Sequence, residues 1–84
     1  MNTKIEKLRK KVDIIDNKLI SLLADRFKLT KEILSLKKKD GLAVKDKNRE
    51  DLILKETTKS AKKLKMDASF VEDIFKRILK ESKK

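Results

Sequence analysis

The chain has 84 residues, 46% charged and 38% hydrophobic, and its 25 Lys and Arg against 14 Asp and Glu leave a formal charge of +11. That length holds one domain at most. With no Cys and no His, disulfide scaffolds, thiolate and imidazole metal sites, cysteine nucleophiles and Ser-His-Asp chemistry are all excluded.

A single glycine and no proline argue against a turn-rich β fold and permit long helices. Ile5, Leu8, Val12, Ile15, Leu19 and Leu22 recur at spacings of three and four, and Leu29, Ile33 and Leu36 resume that register. Ile14, Ile20, Leu23 and Phe27 widen the stripe. Residues from about 4 to 38 therefore read as one helix, roughly 50 Å long. The rest of the chain is too short to cover such a stripe, so the helix needs a partner, most simply a second copy of itself. Asp40-Gly41 breaks the pattern, with Gly41 placed for the left-handed cap conformation.

Leu42 to Lys45 then reads as a loop. Asp46 is an N-cap for a second helix to about residue 64, with Leu52, Ile53, Ala61 and Leu64 inward. Lys65-Met66 is a hinge, and Asp67 or Ser69 caps a third helix over about 68–82. Its expected core is Phe70, Val71, Ile74, Phe75, Ile78 and Leu79. The reading is a single all-α domain over 1–84, with three helices per chain and the first very long. The longest apolar run, Leu19 to Ala24, is too short to span a bilayer and nothing reads as a secretory signal, so a cytoplasmic location is expected.

Some residues break the apolar pattern. Continuing the first register past Leu22 puts Arg26 in the stripe, where a guanidinium is costly unless paired. An internal ion pair to Asp25 or Glu50 is one explanation; an anion-binding site is the other. Lys37, eleven residues on, returns to within about 20° of the same face, with Ile33 between them. Two cations flanking an apolar patch suit an anion with an apolar body. Arg9 lies about 25 Å from Arg26 along the same helix, too far for one small ligand; it approaches that site only from another chain in an antiparallel pair. Arg49-Glu50 opens the second helix, where free backbone N–H groups favour an anion. Ser82 falls on the inner stripe of the third helix.

Together these residues resemble the AroQ-type chorismate mutases, over essentially the whole chain. The first-helix pattern stands as Leu8-Arg9, Val12, Ile15-Asp16, Leu19, Leu22-Leu23-Ala24-Asp25-Arg26, Ile33 and Lys37. The loop and second helix match as Val44-Lys45-Asp46-Lys47-Asn48-Arg49-Glu50, and the third more loosely as Phe70-Val71, Ile74-Phe75, Ile78-Leu79 and Glu81-Ser82.

The resemblance implies an intertwined homodimeric helical bundle that rearranges chorismate to prephenate, the branch toward phenylalanine and tyrosine, with no cofactor and no metal. It implies that Arg9 is lent across subunits, that Arg26 and Arg49 hold carboxylates, and that Lys37 bonds the ether oxygen. Asp46 and Glu50 would receive the ring hydroxyl, and Ser82 would support a carboxylate. The family usually carries Gln or Glu one turn after Ser82, at what would be position 86, past Lys84. The expectation is a slow mutase in which Lys37 is the main donor to the ether oxygen. Lys83, Lys84 or an activating partner enzyme of the same pathway would compensate.

Such a pericyclic reaction needs neither proton transfer nor a covalent intermediate, so a chain without His or Cys suffices. The competing readings are an isochorismate-pyruvate lyase of the same fold and a non-catalytic basic helical module. Only three aromatics are present, all on or near apolar faces, which speaks against nucleic-acid stacking.

Overall fold

The computed structural model describes residues 2–84 and folds them into three helices, α1 (Thr3–Lys39), α2 (Lys47–Lys63) and α3 (Ala68–Ser82). Each starts on a side-chain cap that satisfies the open backbone donors of the first turn. The Asn2 side chain accepts from the amides of Lys4 and Ile5 at 3.1 and 3.2 Å. Asp46 accepts from the Arg49 amide at 3.0 Å, and Asp67 from the amides of Ser69 and Phe70 at 2.9 and 3.4 Å.

Two of the helices end in the same way. After α1 the Leu42 amide reaches back to the Lys37 carbonyl at 2.7 Å and Gly41 to Lys38 at 3.3 Å; after α2 the Met66 amide bonds Ala61 at 2.9 Å and Lys65 bonds Lys62 at 3.1 Å. Both are Schellman turns, which require a left-handed residue. Gly41 adopts it at φ 70°, as its position in the sequence implies. Lys65 adopts it at φ 58° with a full side chain, so the hinge read at Lys65-Met66 is a defined, strained turn.

α2 and α3 pack against each other, α1 meets α3 over a short stretch, and α1 and α2 have no close backbone approach. The chain measures 60 × 25 × 15 Å with a radius of gyration of 16.8 Å, where a compact domain of this length has about 12 Å. The core within one chain is Ala61, Val71 and Leu79. α1 has no buried residue. Leu52, Leu64, Phe70 and Ile74, expected to face inward, are exposed, Leu64 by 73%. They follow the right helical period, but no element of this chain lies over them. No helix among the described residues is long and apolar enough to cross a membrane.

The two left-handed caps predict opposite responses to substitution. Lys65→Gly removes the steric cost of φ 58° and should stabilise by about 0.5–1 kcal/mol in urea unfolding. Gly41→Ala should destabilise by about 1 kcal/mol through backbone strain alone, because a Cβ there meets nothing within 4 Å.

The Asp67 cap predicts a pH dependence. The Ser69 hydroxyl foremost, then the amides of Phe70 and Ser69, hold its carboxyl below the ordinary value of 3.8. The folded form thus favours the carboxylate, and the resulting stability is complete above the ordinary range and lost as pH falls through the lowered value. Thermal melts of the wild type and Asp67→Ala should converge below that point and separate above it.

Candidate active site

The end of α3 meets the middle of α1 beside the start of α2, and a cleft of about 140 Å³ opens there. Its walls carry Arg26, Ile33 and Lys37 from α1, Asp46, Arg49 and Glu50 from the start of α2, and Ser82 from α3. Six of the seven residues singled out in the sequence therefore share one cavity, although up to 56 positions separate them along the chain. The seventh, Arg9, does not line it; its guanidinium is 73% exposed and sits 3.4 Å from Glu6 on the preceding turn. α1 is one unbroken helix, so Arg9 cannot reach the cleft of its own chain.

Arg26 is half-buried and donates to the Ser82 hydroxyl at 3.0 Å. Ser82 in turn donates to the Ile78 carbonyl at 2.7 Å, which fixes the hydroxyl's direction. Neither Asp25 nor Glu50 pairs with Arg26, contrary to the internal ion pair considered above. Glu50 is taken instead by Lys83, whose ammonium lies 3.1 and 2.9 Å from its two oxygens. Lys37 makes one long bond, 3.4 Å, to the Val44 carbonyl; the Schellman turn after α1 brings that carbonyl back over the lysine. Asp46 spends an oxygen on its cap, and Arg49 stays exposed at the rim.

A guanidinium offers five N–H donors and an ammonium three. Arg26 and Lys37 have one partner each, neither of them a carboxylate. The cleft thus presents unspent cationic donors on both sides of the apolar Ile33, which is half exposed. It is built to take an anion with an apolar body.

Comparison with known proteins places the chain in a family. Residues 8–84 match the family described as chorismate mutase type II. The chain belongs to that family. It is 32% identical over 83 residues to a chorismate mutase of Methanocaldococcus jannaschii, covering 99% of this chain and 84% of that protein. It is also 32% identical over 82 residues to a T-protein of Enterobacter agglomerans, covering 98% of this chain but 22% of the relative. A bifunctional chorismate mutase/prephenate dehydratase of Buchnera aphidicola subsp. Baizongia pistaciae is 35% identical over 74 residues, 88% of this chain and 20% of its own length. The chain thus spans about a fifth of these two longer relatives.

The cleft also contains residues beyond the seven singled out in the sequence. Thr30 lies between Arg26 and Lys37 on the same ridge of α1, and the 26-30-33-37 spacing was sufficient to find it. Lys83 joins the site through Glu50, 33 positions away, and no local pattern marks it. Lys84 pairs with Glu81 at 2.9 Å and does not line the cleft.

Proposed function

We propose that this cleft binds chorismate and carries out its rearrangement to prephenate through positioning and electrostatics. The observation that carries the reading is the pair of unsatisfied cations, Arg26 and Lys37, flanking Ile33 in a cavity that also gathers Asp46, Arg49, Glu50 and Ser82. Arg26, tethered by Ser82, presents its fork to one carboxylate, and Arg49 covers the other from the rim. Lys37 directs its free N–H groups at the ether oxygen, where negative charge grows as the C–O bond breaks and the C–C bond forms. Asp46 and Glu50 accept from the ring hydroxyl. Folding the flexible dianion into its reactive conformer supplies the entropic part of the acceleration.

A second copy of the chain completes the site in this reading. The exposed surface is 7454 Å², about 2,300 Å² more than a compact monomer of this mass exposes. An obligate dimer buries about 1,000–2,500 Å² per partner, which accounts for the excess. The uncovered apolar groove between α1 and the α2–α3 pair, lined by Leu19, Leu22, Leu23, Ile74 and Ile78 among others, is where the partner's α1 packs. An antiparallel partner helix brings its Arg9 to the cleft as a further cation.

The decisive experiment incubates the protein with chorismate and identifies the product by NMR. Prephenate is expected; pyruvate release from isochorismate instead would move the chain to the lyase reading, and turnover of neither would end both. For the shared arginine, Arg9→Ala and Arg26→Ala should each be almost inactive alone and recover activity when mixed, since each heterodimer has one intact site and one doubly defective site. Sedimentation at twice 9.8 kDa is expected. A stable compact monomer, or no recovery after verified subunit exchange, would refute the dimeric site.

The fork of Arg26 matters beyond its charge. Arg26→Lys should cost about 1.5–3 kcal/mol of transition-state stabilisation in kcat/KM. Lys62→Gln, which removes an exposed charge on α2, should change it little. Equal losses would point to unspecific attraction of anions by a chain of charge +11.

A further inference from the structure

Of the six ion pairs among the described residues, five join positions three or four apart along the chain. The sixth, Lys83–Glu50, spans from the end of α3 to the first turn of α2 and is the least exposed, at 33% and 20%. It is a two-oxygen contact, 3.1 and 2.9 Å. Both residues line the cleft.

The position of this pair suggests its purpose. Glu50 is an acid in a cavity whose unspent groups are cationic, and a bare carboxylate there would repel a dianion. Arg26 and Lys37 face the cleft from α1, and Asp46 and Arg49 from the start of α2, yet none of these three cations pairs with Glu50. Lys83 alone does. A carboxylate has about four acceptor sites, so the ammonium leaves room for a further donor while fixing the plane in which that donor must arrive. The same turn of α3 places Ser82 against Arg26. One helix end therefore sets the direction of a cation on one wall and of an anion on the other.

We propose that Lys83 is a positioning residue: its ammonium neutralises Glu50 and holds that carboxylate in the orientation that accepts the substrate's ring hydroxyl. The inference rests on the mutase reading of the cleft and extends it to a residue outside the expected set. It assigns Lys83 to Glu50, distinct from any donor to the ether oxygen.

The test is a double-mutant cycle with Lys83→Met, Glu50→Gln and both together, with Lys83→Arg as the conservative variant. Loss of the ammonium should lower kcat/KM about tenfold, the scale of a charge-assisted contact. Lys83→Arg should restore it to within about twofold, because the charge and the two-point geometry survive. In the Glu50→Gln background, Lys83→Met should have almost no further effect, since the group it acts through is already gone.

A pair that merely tied α3 to α2 would lower the melting temperature of Lys83→Met yet leave kcat/KM intact well below the melt, and that result overturns the proposal; so does an equal loss of kcat/KM in the Glu50→Gln background, which would place the action of Lys83 on some other group. So does a rise in kcat/KM for Lys83→Met, which would make Lys83 a competitor for Glu50. The same chains melted without substrate measure the pair directly, and strictly additive losses there also overturn it. Clear coupling across the four melts, with a wild-type chain that leaves chorismate unchanged, refutes the mutase reading and not the pair.

Discussion

A helix of 37 residues carries an apolar stripe that helices of 17 and 15 residues cannot cover, and this mismatch of lengths governs everything else in the molecule. α1 behaves as a rail. α2 and α3 pair with each other, and α3 meets the rail over a short stretch, with Arg26 reaching Ser82. The single-chain core is reduced to Ala61, Val71 and Leu79, far less burial than a stable domain of this size requires. In the proposed dimer this uncovered stripe supplies the surface for association. The proposed sharing of Arg9 follows from the same rigidity, because a residue about 25 Å away on an unbroken helix is available only to another chain's cleft.

The cleft owes its chemistry to an imbalance of partners. Elsewhere the basic residues that pair with acids do so one helical turn away, at exposed positions where such pairs contribute little. Inside the cleft Arg26 and Lys37 meet only a hydroxyl and a carbonyl. In the proposed reaction the dianionic substrate supplies the counter-charge that these two cations lack. The acids on the same walls are already occupied: Asp46 caps α2, and Glu50 is held by Lys83. Attraction is thus left open while repulsion is suppressed, which suits a reaction whose catalysis is placement of charge rather than proton transfer.

Much of this was legible in the linear pattern. The three helices followed from apolar periodicity, and their ends from Asp46, Asp67 and Gly41, because caps are local chemistry between neighbours in sequence. Lys65-Met66 was legible as a hinge but not as a left-handed turn, since no residue preference signals that conformation at a lysine. Arg26 stood out because a guanidinium in an apolar stripe violates the period, and Lys37 because eleven residues restore the helical phase. The inward assignment of Leu52, Leu64, Phe70 and Ile74 was correct as periodicity and wrong as burial within one chain; a period specifies a face, not what lies against it.

By itself, then, the sequence determined the helices, their caps, and which side chains break the apolar face, all of which depend on residues within a turn or two of one another. It also carried enough of the family pattern to identify the family. The tertiary structure alone decided who pairs with whom. Arg26 takes Ser82 instead of an acid, and Glu50 takes Lys83 across 33 positions. Such pairings depend on the angle at which α3 returns to α1 and α2, a property of packed helices in space that spacing along a chain does not encode.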